Sequence, residues 1–277
     1  MSTLQLGPIG IALDVAADNA HLDAGAEIED LGYDTIWVAG GQLDRLDRID
    51  DLVRATRTIA VIPGIVSVDV YPPEVVARWH AELVGSTAPD RFVVGIGGPQ
   101  QPRPLGPLGR YLDVLDAADP PVPAERRILA ALGPRKLELA RERAGGAVPL
   151  LVDPAYTAWA RTVLGERATL VVDQMIVLDD DPARARETAR GPLRFLSRVG
   201  GYRDNFVRMG FTATEIDQLS DRLVDELVAW GDEQTISERV RAHQLAGADQ
   251  VALAVLHDEG QPGPLEVART LAAGLLR

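Results

Sequence analysis

Arg135 and Lys136 follow Gly133 and Pro134, and a proline there marks the first turn of a helix running to Ala144. Two cations at that end oppose the helix dipole, whereas backbone amides at a helix start attract anions. The pair reads either as solvated first-turn side chains or as part of a site for an anionic partner. Other chemistry-bearing residues follow short apolar runs: Asp14, Ser67 and Asp69, Gln100 beside Gly97 and Gly98, Asp153 and Tyr156, and His257. Carboxylate, phenol and imidazole groups at such places can move a proton or hold a polar ligand. The alternative for Asp14 and Asp153 is a helix cap or turn, and for the glycines a tight turn needing positive φ.

Several chemistries are excluded. The chain has no cysteine, which removes disulfides, thiolate metal sites and a cysteine nucleophile. Of the histidines only His257 stands at the end of an apolar run. His21, His80 and His243 fall in helical stretches, and none shows the spacing of a metal ligand pair. No Gly-x-Ser-x-Gly elbow is present. Asp179-Asp180-Asp181 suits a helix cap before Pro182 better than a divalent cation, because adjacent carboxylates diverge. Metal is therefore not expected.

These residues hang on a repeating pattern. Apolar runs at Ile9–Leu13, Thr35–Ala39, Ala60–Val66, Phe92–Ile96, Arg127–Leu132, Val148–Val152, Leu170–Leu178 and Gln250–Leu256 read as strands. Several are apolar at consecutive positions, as parallel strands covered on both faces are. Helical stretches lie between them: Ala20–Leu31, Glu74–Val84, Pro134–Ala144, Pro182–Leu196, Thr212–Trp230, Thr235–Ala246 and Gly263–Leu276. This order predicts an α/β protein, a (β/α)8 TIM barrel of about 250 residues with its site at the strand C-termini. A doubly wound sheet is the alternative, but no Gly-x-Gly-x-x-Gly or Walker loop supports it. Pro99–Pro107 reads as the loop after the fourth strand, so residues 1–277 are expected to form one domain.

With 46% apolar residues the chain can bury a full core, and its net charge of −13 argues against a nucleic-acid partner. No secretory leader or apolar stretch of membrane-spanning length is visible, so a cytoplasmic protein without membrane contact is expected. Of the 28 basic residues, Lys136 is the only lysine.

Four segments, in order along nearly the whole chain, resemble the bacterial luciferase-like superfamily in its branch that depends on the deazaflavin coenzyme F420. They are Ala26–Val38, Pro63 to Ala77, Asp90–Gly97, and Ala130–Pro134 continuing through Gly145-Gly146-Ala147. The resemblance implies a luciferase-like TIM barrel that holds the cofactor across its top. It places a non-prolyl cis peptide at Gly64-Ile65, behind the cofactor ring, and a polar ring contact at Ser67. It assigns Gly97, Gly98 and Gln100 to the loop lining the cofactor, and Leu132, Gly133, Arg135 and Lys136 to its charged tail. Gly40 occupies a cofactor-contact position after the second strand.

Departures from the pattern matter too. Many relatives carry an acidic or polar residue and then histidine where this chain has Gly40 and Gly41, and some use a glutamate where it has Gln100. Sugar-phosphate dehydrogenases of the family use threonine and lysine after the sixth strand. Here stand Asp153 and Tyr156, assigned to the substrate side, and an aspartate there would repel a phosphate. The leading expectation is an F420-dependent oxidoreductase moving a hydride to or from a small, non-phosphorylated substrate. His257 and Tyr156 are the candidates for the accompanying proton. An FMN-dependent luciferase-like monooxygenase and a non-catalytic deazaflavin-binding protein are the alternatives. The resemblance also implies a homodimer.

Overall fold

The computed structural model describes residues 4–15, 19–39, 45–86, 91–99, 101 and 103–276. Its strands are β1 (Ile9–Leu13), β2 (Thr35–Ala39), β3 (Ala60–Gly64), β4 (Val66–Ser67), β5 (Val94–Gly97), β6 (Arg127–Ala130), β7 (Gly146–Val148), β8 (Thr169–Leu178), β9 (Ala229–Gly231) and β10 (Gln250–Val255). All pair in parallel, in the order β3-β2-β1-β10-β8-β7-β6-β5-β4. β3 and β4 are two halves of one strand, broken at Ile65. Val61 of β3 bridges to Phe92, and β4 pairs with β5, so the two ends of the sheet meet and close the barrel. This is the expected (β/α)8 architecture, and the doubly wound alternative falls.

Closure explains the consecutive apolar residues. In β8, Leu170, Val172 and Ile176 pack outward against the helices, while Val171 packs inward with Trp37, Ile62, Val93, Ile128, Val148 and Ala252. Leu4 and Leu6 join that inner cluster at the N-terminal end of the barrel. The Thr169 hydroxyl donates to the Leu4 carbonyl (2.8 Å) and the Gln250 amide to the Leu6 carbonyl (2.7 Å). The Gln250 side-chain oxygen accepts from Trp37 Nε1 (2.9 Å) and Thr35 Oγ1 (3.0 Å), which pairs these buried polar groups.

Several boundaries differ from the sequence expectation. The sixth barrel strand is Gly146–Val148, followed only by a bridge at Leu150, because Pro149 lacks a donor and Leu151 adopts φ 57°. The stretch Thr212–Trp230 is not one helix. Leu219 turns into the left-handed region, Ser220 caps a second helix, and Val228 is extended, leading into β9. β9 lies along the far end of β8, pairing Ile176 with Ala229. A helix at Gly200–Arg208 and another at Asp47–Ala55 were not anticipated, and Leu105–Pro107 is helical rather than loop. Asp181 accepts from the amides of Ala183 and Arg184, and Asp179 accepts from Arg184 and Gln261, so the aspartate run is a cap and an ion pair. Among the described residues no group of side chains could hold a metal ion, and no helix is long and apolar enough to cross a membrane.

Candidate functional site

Side chains alternate along a strand, so the residue two places beyond each inner-core residue forms the next layer toward the C-terminal mouth. Trp37, Ile128, Val148, Val171 and Ala252 are buried; their successors Ala39, Ala130, Leu150, Asp173 and Ala254 are exposed or half-buried. The inner cluster thus ends at this layer; Leu150 and Ala254 pack on a second cluster with Tyr202 and Phe206, and we take the mouth beside the small Ala39 and Ala130 as the candidate hollow. Asp14, beyond Ala12 at the end of β1, is exposed at the same rim.

One wall of the hollow is the break between β3 and β4. The Gly64-Ile65 peptide is cis, at the position named from the resemblance. Gly95 and Gly97 on the adjacent strand make room for it. A Cβ on Gly95 would lie 1.9 Å from the Pro63 carbonyl oxygen, and one on Gly97 2.5 Å from Ile65 Cδ1. Beyond the break, Ser67 Oγ accepts from the Asp69 amide (3.3 Å), and the Ser67 carbonyl accepts from Val70 and Tyr71. Gly98 has φ +97°, open to glycine at no steric cost, and precedes a cis proline, Pro99.

Next to this wall begins the helix Pro134–Arg143, with Gly133 as its N-cap and proline at its first turn. No atom lies within 4 Å of where a Gly133 Cβ would be. Arg135 is exposed. Lys136 is half-buried, and its ammonium makes a long contact to the Gly98 carbonyl (3.5 Å). Burial pulls the Lys136 pKa below the ordinary lysine value, against the opposing charge of Asp69. Among the described residues no carboxylate is within ion-pair distance of this ammonium.

The structure gathers Ile65, Ser67, Gly97, Gly98, Gly133 and Lys136 on one side of the mouth. Leu132 is half-buried there, and its carbonyl accepts the Tyr156 hydroxyl (2.7 Å). Burial raises the Tyr156 pKa, so the phenol stays protonated and ties two loops together. Asp153 caps the helix Pro154–Leu164, accepting from the Tyr156 amide (2.6 Å). Both proposed substrate contacts are thus engaged in local structure. His257 is exposed after β10. Gly40, Gly41 and Gln100 lie outside the described residues. The other histidines are buried, as packing residues: His243 sits between Thr157 Oγ1 and Gln174 Oε1, each at 2.8 Å.

Sequence reasoning passed over Asp173. A search confined to strand ends excludes a residue in the middle of a ten-residue strand. The available signal was its charge inside an otherwise apolar run, since a buried carboxylate is costly.

No family model matches the sequence, and no curated protein matches it. Solved structures do match in fold. An F420-dependent secondary alcohol dehydrogenase in complex with an F420–acetone adduct aligns over 100% of both chains, with TM-score 0.73 and 15% identity. The coenzyme F420 dependent tetrahydromethanopterin reductase of Methanopyrus kandleri aligns over 98% of this chain and 99% of its own, with TM-score 0.71 and 15% identity. The oxygenating constituent of 3,6-diketocamphane monooxygenase from Pseudomonas putida, a type II Baeyer-Villiger enzyme in complex with FMN, aligns over 97% and 96%, with TM-score 0.67 and 14% identity. The fold is therefore the (β/α)8 barrel that these proteins share.

Proposed function

We propose that this protein is an oxidoreductase that binds the deazaflavin F420 across the barrel mouth and exchanges a hydride with a small, non-phosphorylated organic substrate. One observation carries the reading. Lys136 is a partly desolvated cation at a helix start, held among the described residues by a long contact to a backbone carbonyl and the charge of Asp69, beside open space at Gly133. An anion at that point would satisfy the ammonium.

The residues present fit such a group. Lys136 and Arg135 would hold its anionic tail, and the Ile65 wall would back its ring above the alanine layer. When bound, a deazaflavin supplies or accepts the hydride. The chain's own task is to place the substrate over the hollow, exclude water and handle a proton. That two of the fold relatives above use F420 supports the choice, and the FMN-bound relative makes FMN the comparison to run.

Titrating the purified protein with F420, followed by cofactor fluorescence, tests the reading. Saturable binding at micromolar concentration or tighter, with weaker binding of FMN, is expected. No saturable change with F420 overturns it.

A further inference from the structure

Among the described residues, Asp173 Oδ1 is the one carboxylate oxygen buried without a hydrogen-bond partner. Glu29 accepts from the amides of Arg57, Thr58 and Ile59; Asp34 accepts from the Ile9 amide, Asp50 from Trp79 Nε1, and Asp179 from Arg184 and Gln261. Asp173 Oδ1 is buried and has no hydrogen-bond partner. Its backbone is ordinary strand, its amide donating to the Pro149 carbonyl (3.0 Å), and its register neighbours Leu150 and Ala252 are apolar. The titratable group that senses it is Tyr202, on the helix Gly200–Arg208 that reaches this side of the mouth. Tyr202 is itself held as a neutral phenol by burial and by the Asp173 charge. No cation among the described residues offsets the burial of Asp173, which pushes its pKa up to about 7. A carboxyl kept for stability would have a partner; this one has none among the described residues.

Its place in the barrel is specific. Strand order runs β3/β4, β5, β6, β7, β8 in one direction and β3, β2, β1, β10, β8 in the other. β8 is therefore as far from the Ile65 wall as the barrel allows, and a substrate over the hollow has Ile65 on one side and Asp173 on the other.

We propose that Asp173 is the proton-exchanging residue of the site, serving the oxygen of a small uncharged carbonyl or hydroxyl compound. The assignment rests on the deazaflavin reading above. In the reducing direction the substrate carbon gains a hydride and the carbonyl π pair moves to oxygen. That oxygen takes the proton of the Asp173 carboxyl. A C–H and an O–H bond form; the donor C–H bond of the reduced deazaflavin, the carbonyl π bond and the carboxyl O–H bond break. The two electrons come from the reduced deazaflavin, which is oxidised, and water returns a proton to the carboxylate. In the oxidising direction the carboxylate accepts the hydroxyl proton. Around the candidate hollow Ala39 and Ala130 carry no charge and the charge at the rim is the carboxylate of Asp14, which disfavours an anionic substrate.

The test uses the full chain and Asp173→Asn, with three readouts. Carbon-13 NMR of labelled aspartate should show one carboxyl titrating near neutral pH that is absent from the variant and shifts when F420 is added. F420 fluorescence titration should give both proteins the same affinity within about threefold. Single-turnover reduction of acetone, cyclohexanone and acetophenone by reduced F420 should be slower in the variant by about 100-fold or more, the scale of a lost general acid. A carboxyl that titrates in the ordinary range, or a variant that reduces these ketones at the wild-type rate, overturns the proposal. So does a wild type that binds F420 and reduces none of them. Failure of the wild type to bind F420 overturns instead the cofactor reading on which the proposal rests.

Discussion

The carbonyl oxygen of Pro63 fills the space a side chain at residue 95 would need: a Cβ on Gly95 would lie 1.9 Å from it. Both atoms belong to backbone in adjacent strands, so neither can swing aside as a side chain can. The broken third strand and the glycine beside it are one structural unit.

Gly95→Ala is accordingly expected to destabilise by about 1–3 kcal/mol or more, the range for overpacking a close-packed core. Urea denaturation measures it. Gly133→Ala, where no atom lies within 4 Å, is the control and should change stability by less than about 0.5 kcal/mol.

Lys136→Met should weaken F420 binding by about tenfold or more, the loss of one charge-assisted contact. Thermal stability should hold or rise, because burial already penalises the ammonium. Equal F420 affinity in the two proteins would remove Lys136 from the tail site.

Tyr156→Phe separates a structural from a chemical phenol. Losing the 2.7 Å bond to the Leu132 carbonyl should cost about 1–2 kcal/mol of stability and leave single-turnover rates within about threefold. A stable variant that has lost turnover would give Tyr156 the chemical role instead.

Acid should unfold the protein through its buried histidines. Burial, then the charges of Arg127 and Arg126, lower the His80 pKa to about 4; burial and Arg239 lower that of His243 to about 3. The unfolded chain takes up these protons near pH 6.5, so the unfolded state gains as pH falls below that value. Stability is thus full above pH 6.5 and lost as pH drops toward 4. His80 nitrogens have no hydrogen-bond partner, so His80→Leu should raise Tm at pH 5 and flatten this dependence.

Much of the barrel was legible because closure writes itself into sequence: strands buried on both faces lose their polar alternation, as Leu170–Val172 shows. The first-turn cations were legible because they contradict the helix dipole. What stayed hidden was set by tertiary context. Trp230 belongs to a strand only because the end of β8 offers an unpaired edge, and the helix break at Leu219 requires a left-handed non-glycine that no propensity signals. The Thr212 and Glu215 capping box and the Ser220 cap did mark two helix starts within that stretch. Asp153 and Tyr156 followed the strand-end rule yet turned inward to cap and tie, whereas Asp173 lies outside that rule as a buried carboxylate in mid-strand.

Leu4 and Leu6 close the other end of the barrel, pinned by Thr169 and Gln250. A vessel stoppered at its base has a single doorway. On the proposed reading, whatever lies deeper boards first and departs last. Binding order is in this sense a property of the plug, remote from any residue that touches the passengers.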